Sequence, residues 1–419
     1  MTDLSIIHEK AIVRKRLAVG IFVLLVAILI VFMGVGKEGL KSTFVLASQR
    51  AGVTIAAPDL VLPSDITIYI MAAITAAGGI WHLFKGFKQN STVIIITALL
   101  TIVAFLVWAT VNKSLNLTGM LVSSIVRATP ICLAALSGLY SERSGVVNIG
   151  IEGMMLTGSF ASVVVASITG NMFAGVLAGI LSGMLLGLLH GVLSIRYMVN
   201  QIVSGTGIII LALGVTSYLQ RAVLNTYPEL NSPGPAIAAV PVPGLWQIPV
   251  LGPVFFNQSP IIYFMLIMLV FTQILFYYTR WGLRVRSVGE HPRAADTLGI
   301  DVYKIRYISV LLSGAIAGLS GAYMSIGAAG RFNEGMSSGK GFLGLAAMIF
   351  GNWNPGGAFL GSFIFGFFDS WQEKLSILQV GIPVDLLGMA PYIATMIVLA
   401  GFIGRSRMPA ADGTPYEKQ

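Results

Sequence analysis

Gly289-Glu290-His291-Pro292-Arg293-Ala294-Ala295-Asp296-Thr297-Leu298-Gly299-Ile300 stands between two long apolar runs, 261–280 and 307–327. Runs of about 20 apolar residues match the hydrocarbon thickness of a bilayer. A charged stretch held between two of them must face water. Pro292 rigidifies its entry, Arg293 to Leu298 have the length of a short helix, and Gly299 ends that helix by tolerating a left-handed conformation. Ala294 and Ala295 offer a surface small enough to sit in a partner's groove, and Arg284, Arg286, Arg293, Lys304 and Arg306 surround it with donors. An ordinary basic loop would explain these charges, but not a small-residue helix with a glycine stop.

Apolar runs of similar length recur near 17–34, 66–84, 91–111, 119–140, 146–168, 172–195, 200–220 and 385–404. The stretch 341–370 is apolar but broken at Asn352-Trp353-Asn354-Pro355-Gly356-Gly357, which reads as two short spans or a re-entrant pair. The expectation is an all-α polytopic membrane protein with about 12 transmembrane helices, including a broken segment near 341–370. Composition agrees. Of 419 residues, 56% are hydrophobic and 10% charged, against about 25% charged in soluble domains, and mean hydropathy is +0.85. The 48 glycines suit close helix contact in lipid.

The net charge of +9 reads as basic loops on an anionic leaflet, not as a nucleic-acid surface. With the amino terminus inside, the inner segments and Arg280 at a span end hold 17 of the 26 Lys and Arg residues, so both termini are expected on the cytoplasmic side. The apolar run after Lys10, Arg14, Lys15 and Arg16 is taken as an uncleaved first span, because the passable cleavage sequence Val45-Leu46-Ala47 lies far beyond it. The single cysteine, Cys132, precludes an intramolecular disulfide.

Residues 1–115 read as an accessory amino-terminal module with three spans, 118–404 as a transport core, and 405–419 as a cytoplasmic tail. The segment 221–260 carries eight prolines and almost no charge. It suits a turn-rich cap, either a plain connector or a docking platform for an external binding protein.

Polar residues inside the spans are candidates for a translocation pathway. If 146–154 is helical, Asn148 and Glu152 lie one turn apart on one face. A carboxylate at such depth is expensive and faces a partner or a watery path. Asn200 and Ser204 open another span, where capping competes with lining as their role. Asn352 sits at the break, and broken backbone at membrane depth is tolerated only where protein or a cavity satisfies it. Catalytic signatures are missing. There is no phosphate-binding Gly-x-x-x-x-Gly-Lys-Ser/Thr loop, and the four histidines are scattered without metal spacing. No catalytic residue and no metal ligand is expected.

At Ala128-Thr129-Pro130, Ser141 through Met154, Asn200 through Gly207, Gly289 through Gly299 and Gly341 through Gly357 the chain resembles the membrane permease subunits of bacterial ABC importers. These belong to the group serving branched-chain amino acids, ribose and simple sugars, and the match is nearest to the nucleoside-uptake branch. The resemblance covers roughly 118 to 404. It implies import of a small polar solute, most readily a nucleoside, by alternating access in the bacterial plasma membrane.

It further implies that Gly289, Glu290, Pro292, Arg293, Ala294, Ala295, Asp296 and Gly299 contact separate ATPase subunits, which bind the ATP and magnesium. A second permease subunit and an extracytoplasmic substrate-binding protein, a lipoprotein in that branch, would complete the system. No cofactor, enzymatic activity or nucleic acid is implied for this chain. Arg293 departs from the glutamate that many importers place before the alanine pair. A simple sugar such as ribose is the alternative solute. An ion-coupled secondary transporter and a non-transporting scaffold are the alternatives in other classes.

Overall fold

The computed structural model describes residues 2–50, 53–87, 90–389, 392–393 and 407–418. Its helices are α1 (Thr2–Gly34), α2 (Ser64–Phe84), α3 (Asn90–Ala109), α4 (Leu117–Glu142), α5 (Ile151–Thr169), α6 (Met172–Gly191) and α7 (Gln201–Leu219), then α8 (Pro260–Tyr278), α9 (Arg280–Glu290), α10 (Pro292–Thr297), α11 (Val302–Ala322), α12 (Lys340–Phe350), α13 (Pro355–Ile377) and α14 (Val384–Gly388). Among the described residues, nine helices are long and apolar enough to cross a membrane: α1 to α8 and α11. They account for nine of the expected runs. The run 385–404 lies for the most part outside the described residues.

The chain divides into two compact units. One comprises 1–49, 53–120 and 371–404, and the other 50–52, 121–370 and 405–419. In the first, α1 packs on α2 and α3. The strand Lys41–Val45 pairs antiparallel with Leu60–Pro63 and parallel with Ser114–Asn116. Ser42 ties this sheet to the helices by bonding the Ser64 hydroxyl at 2.8 Å and donating to the Val107 carbonyl at 2.7 Å. Such short strands satisfy backbone groups that a loop would leave unpaired.

In the second unit α5, α6 and α11 form the packed centre. Glycines make it possible. A Cβ on Gly183 would overlap the Gly314 carbonyl, and one on Gly318 would overlap the Gly179 carbonyl. The helix backbones therefore touch, which is how helices without a hydrophobic driving force associate in lipid. Serines add hydrogen bonds across the same seams: Ser137 to Ser313 at 2.9 Å, Ser162 to Ser325 at 3.0 Å, and Ser159 to the Gly321 carbonyl at 2.9 Å.

Pro130 lies inside α4. Lacking an N–H, it leaves the carbonyl of Val126 without its helical donor. The Tyr323 hydroxyl supplies the missing bond at 3.1 Å, and Ser320 donates to the Pro130 carbonyl at 2.9 Å.

The break near 341–370 is present. Helix α12 has 11 residues, a rise of about 16 Å and so roughly half a hydrocarbon core. The turn 351–354 follows, with Asn352 and Trp353 at φ +54° and +52°, and α13 resumes at Pro355. The cap segment 221–260 contains short 3-10 and π turns and a two-residue strand pair, Val240–Pro241 with Asn257–Gln258.

One local expectation fails. Residues 143–150 are not helical, so Asn148 and Glu152 do not share a helix face. Gly145, at φ +85°, turns the chain out of α4 before α5 begins at Ile151.

Candidate functional site

The charged stretch folds as two consecutive helices. Thr279 caps α9 by accepting from the Gly282 N–H at 3.2 Å. Pro292 occupies the first position of α10, where its missing N–H costs nothing. Gly299 ends α10 at φ +80°, and the Ile300 N–H closes onto the Ala295 carbonyl at 3.1 Å. The expected short helix and glycine stop are both there.

The alanine pair is split. Consecutive helical residues point about 100° apart, so Ala295 is buried among apolar residues while Ala294 is exposed. Next to it Leu298 is 82% exposed. The five surrounding cations divide as well. Arg306 is buried and Arg286 lies over the Tyr277 ring at 5.0 Å, which leaves Arg284, Arg293 and Lys304 exposed.

Gly289 links this element to the rest of its unit. A Cβ there would collide with the Arg143 carbonyl, so the two backbones are in direct contact. Arg143 in turn donates from Nε and Nη2 to the Trp353 carbonyl at 2.9 and 2.6 Å. Trp353 Nε1 donates to Glu142 at 2.6 Å. A tryptophan at positive φ is strained and persists only where its surroundings over-determine it. Here the Arg143 and Glu142 side chains hold it.

The tail contributes more than the sequence suggested. The Ala411 N–H donates to the Gly289 carbonyl at 2.9 Å, and the Ala410 N–H to Glu290 Oε2 at 3.2 Å. Lys418 lies 3.7 Å from Asp296. Arg306 Nη1 donates to the Thr414 carbonyl at 3.1 Å, and the Tyr303 and Tyr416 rings stand 5.5 Å apart. The Arg407 N–H donates to Asn352 Oδ1 at 2.7 Å. Residues 407–418 are thus a strap tying the broken turn to the α9–α10 elbow. Burial raises the Asp412 carboxyl to about 7, against the opposing pull of Glu142, the Gly413 backbone and the Arg306 charge. Burial also lowers Arg143.

The pathway candidates fall into three places. Asn148 Nδ2 donates to Ser313 at 2.9 Å. Ser204 bonds His190 Nδ1 at 3.0 Å, while His190 Nε2 meets the Val147 carbonyl at 2.9 Å, so Ser204 and the Asn148 stretch share one network. Gln201 joins it by accepting from the Val147 N–H at 2.7 Å. Asn200 caps α7, accepting from Ile202 and Val203 N–H at 3.0 and 3.2 Å. Glu152 is elsewhere. Its two oxygens accept from the Gly339 and Gly341 N–H groups at 2.8 and 2.6 Å, at the start of α12. A carboxylate there satisfies orphan donors and complements the helix dipole. Asn352 belongs to the strap contact.

Sequence reading missed His190, Gln201, Arg143 and the strap. His190 lay among scattered histidines, and nothing in the polar tail marks Asp412 as buried. No described group of His, Cys, Asp and Glu residues is placed to hold a metal ion.

Residues 120–403 match the family model described as the permease component of branched-chain amino acid transport systems. The chain is 41% identical over 305 residues to a guanosine ABC transporter permease protein of Bacillus subtilis, covering 71% of this chain and 95% of that one. It is 40% identical over 309 residues to a nucleoside ABC transporter permease protein of Lactococcus lactis, covering 70% and 95%. A putative glucose ABC transporter permease protein of Haloferax volcanii is 33% identical over 67% of this chain and 91% of its own length. No solved structure matches the chain. The chain therefore belongs to the permease-component family of branched-chain amino acid transport systems, and is a multi-pass membrane member of it.

Proposed function

We propose that the chain is the permease subunit of an ATP-driven importer for nucleosides, working by alternating access in a bacterial plasma membrane. The observation that carries this reading is the α10 knob. It is a proline-started, glycine-stopped helix outside the spans, with Ala294 and Leu298 exposed on it. Together Ala294 and Leu298, one turn apart on α10, put a small apolar spot on a water-facing loop, of the size a partner's groove would cover. The solute follows from relatives at 41% and 40% identity named for guanosine and nucleosides. The relative named for glucose keeps a simple sugar as the second reading.

In this scheme separate ATPase subunits bind ATP and magnesium and push on α10. Gly289 passes the displacement to Arg143, and Arg143 to the strained turn 351–354 between α12 and α13. A second permease subunit and an extracytoplasmic binding protein complete the machine, and both termini lie inside. The polar network of Asn148, His190, Gln201, Ser204 and Ser313 is the pathway candidate with the most hydrogen-bonding capacity. Glu152 acts as an anchor for α12, and Asn200 and Asn352 act as caps and ties. An ion-coupled mechanism needs available carboxylates in the spans. Glu152 is committed to backbone donors, and Asp369 is paired with Arg127 at 2.7 Å.

The family match begins at residue 120, which supports 1–115 as an accessory module. Residues 371–389 of the family region pack in the same unit as that module. The test is competition. Uptake of labelled guanosine by cells carrying the complete system should be suppressed by unlabelled nucleosides and not by ribose or glucose. Absence of guanosine uptake, with labelled ribose or glucose taken up instead, would move the assignment to the second reading.

A further inference from the structure

Between the α9–α10 elbow and the strap runs a groove of about 340 Å³. One wall is Glu290, His291, Pro292 and Arg293, and the other is Ala410, Thr414, Pro415, Tyr416 and Glu417. The Ala411 N–H bond to the Gly289 carbonyl and the Ala410 N–H bond to the Glu290 carboxylate hold the two walls together. The space matches the low end of ligand-sized pockets, enough for one or two large side chains. The exposed Ala294 follows its lining residue Arg293 in the chain. Among its lining residues Glu290 and Glu417 outnumber Arg293, and Lys418, next in the chain, is already paired with Asp296. The groove therefore favours a basic side chain on its occupant.

We propose that residues 410–417 form the second wall of the ATPase-docking groove, so that the ATPase subunit inserts a basic side chain between the α9–α10 elbow and the carboxy-terminal strap. This rests on the reading of α10 as the coupling knob. It changes what the docking site is: two segments more than 100 residues apart in sequence, held together by Arg306, Tyr303 and Lys418. The strap then senses docking at one end and holds Asn352 of the broken turn at the other.

Photo-crosslinking separates this from the simpler site. A benzophenone amino acid is placed in the tagged full chain at Ala294, at Glu417 or at Phe173, an outlying exposed position. Complexes are crosslinked in the host membrane, and the captured polypeptide is identified by a phosphate-loop peptide in its digest. Crosslinks to that subunit from both 294 and 417, and none from 173, support the proposal. A crosslink from 294 without one from 417 overturns the strap wall and leaves the coupling reading standing. No crosslink from 294 overturns both.

Ala410→Arg fills the groove, and Glu417→Lys reverses its charge. Each should lower recovery of ATP hydrolysis with the purified complex about tenfold, the change that 1.4 kcal/mol of lost binding produces, while the permease keeps its chromatographic profile. Undiminished recovery in both variants overturns the proposal.

Discussion

Tyr323 illustrates how single polar atoms are settled in this membrane unit. Its hydroxyl answers the carbonyl that Pro130 orphans. Tyr323→Phe should therefore cost about 1 kcal/mol, read as a lower thermal midpoint in detergent. An unchanged midpoint would mean that the Val126 carbonyl finds another donor. Asp412 is the residue with a pH consequence. Its folded-state value of about 7 lies above the ordinary 3.8. The docked carboxyl therefore holds its proton more tightly than a free one.

By linkage, the stability this contributes is complete below about pH 4 and is lost as pH rises through about 7. Glu142, Arg306 and the Gly413 N–H are the groups facing it. Hydrogen exchange at the Ala411 amide, corrected for intrinsic rate, should show protection falling between about pH 4 and 7. Asp412→Asn should flatten that dependence, and an unaltered slope in the variant would assign it to another group.

At the scale of elements, two glycine devices do different work. Gly299 at φ +80° stops α10, and the sequence disclosed it because a glycine after a helical stretch has few other uses. Gly179, Gly183, Gly314 and Gly318 let α6 and α11 touch, and Gly318→Val would drive a side chain into the Gly179 backbone. That substitution should cost the upper part of the about 1–3 kcal/mol range for overpacking and show as reduced yield of folded protein from membranes. Gly207→Ala, in open space, should leave yield unchanged and serves as the control.

The spans were legible because apolar length is a one-dimensional property, and the 352–357 break because Asn-Pro-Gly-Gly interrupts it. The helix start at Ile151 was not legible, since Gly145 turns the chain inside a stretch whose polarity suits a helix face. The burial of Ala295 and Asp412 was hidden as well. Each depends on partners distant in sequence, and small or polar residues carry no mark of burial.

Across the second unit, the described geometry joins the α10 knob to a strained turn through few residues: Gly289, Arg143 and Trp353. Arg143→Ala should leave ATPase association near its original level and lower solute uptake per ATP hydrolysed, measured as transported label against released phosphate. Equal losses in association and uptake would make Arg143 merely part of the docking surface. The most direct test of an ATP-driven knob is uptake by cells carrying Ala294→Arg, with insertion verified by membrane recovery of the tagged chain. We expect guanosine uptake and ATPase co-purification to fall together to background. Wild-type uptake in that variant, or uptake driven by a proton or sodium gradient without ATP, would contradict the account.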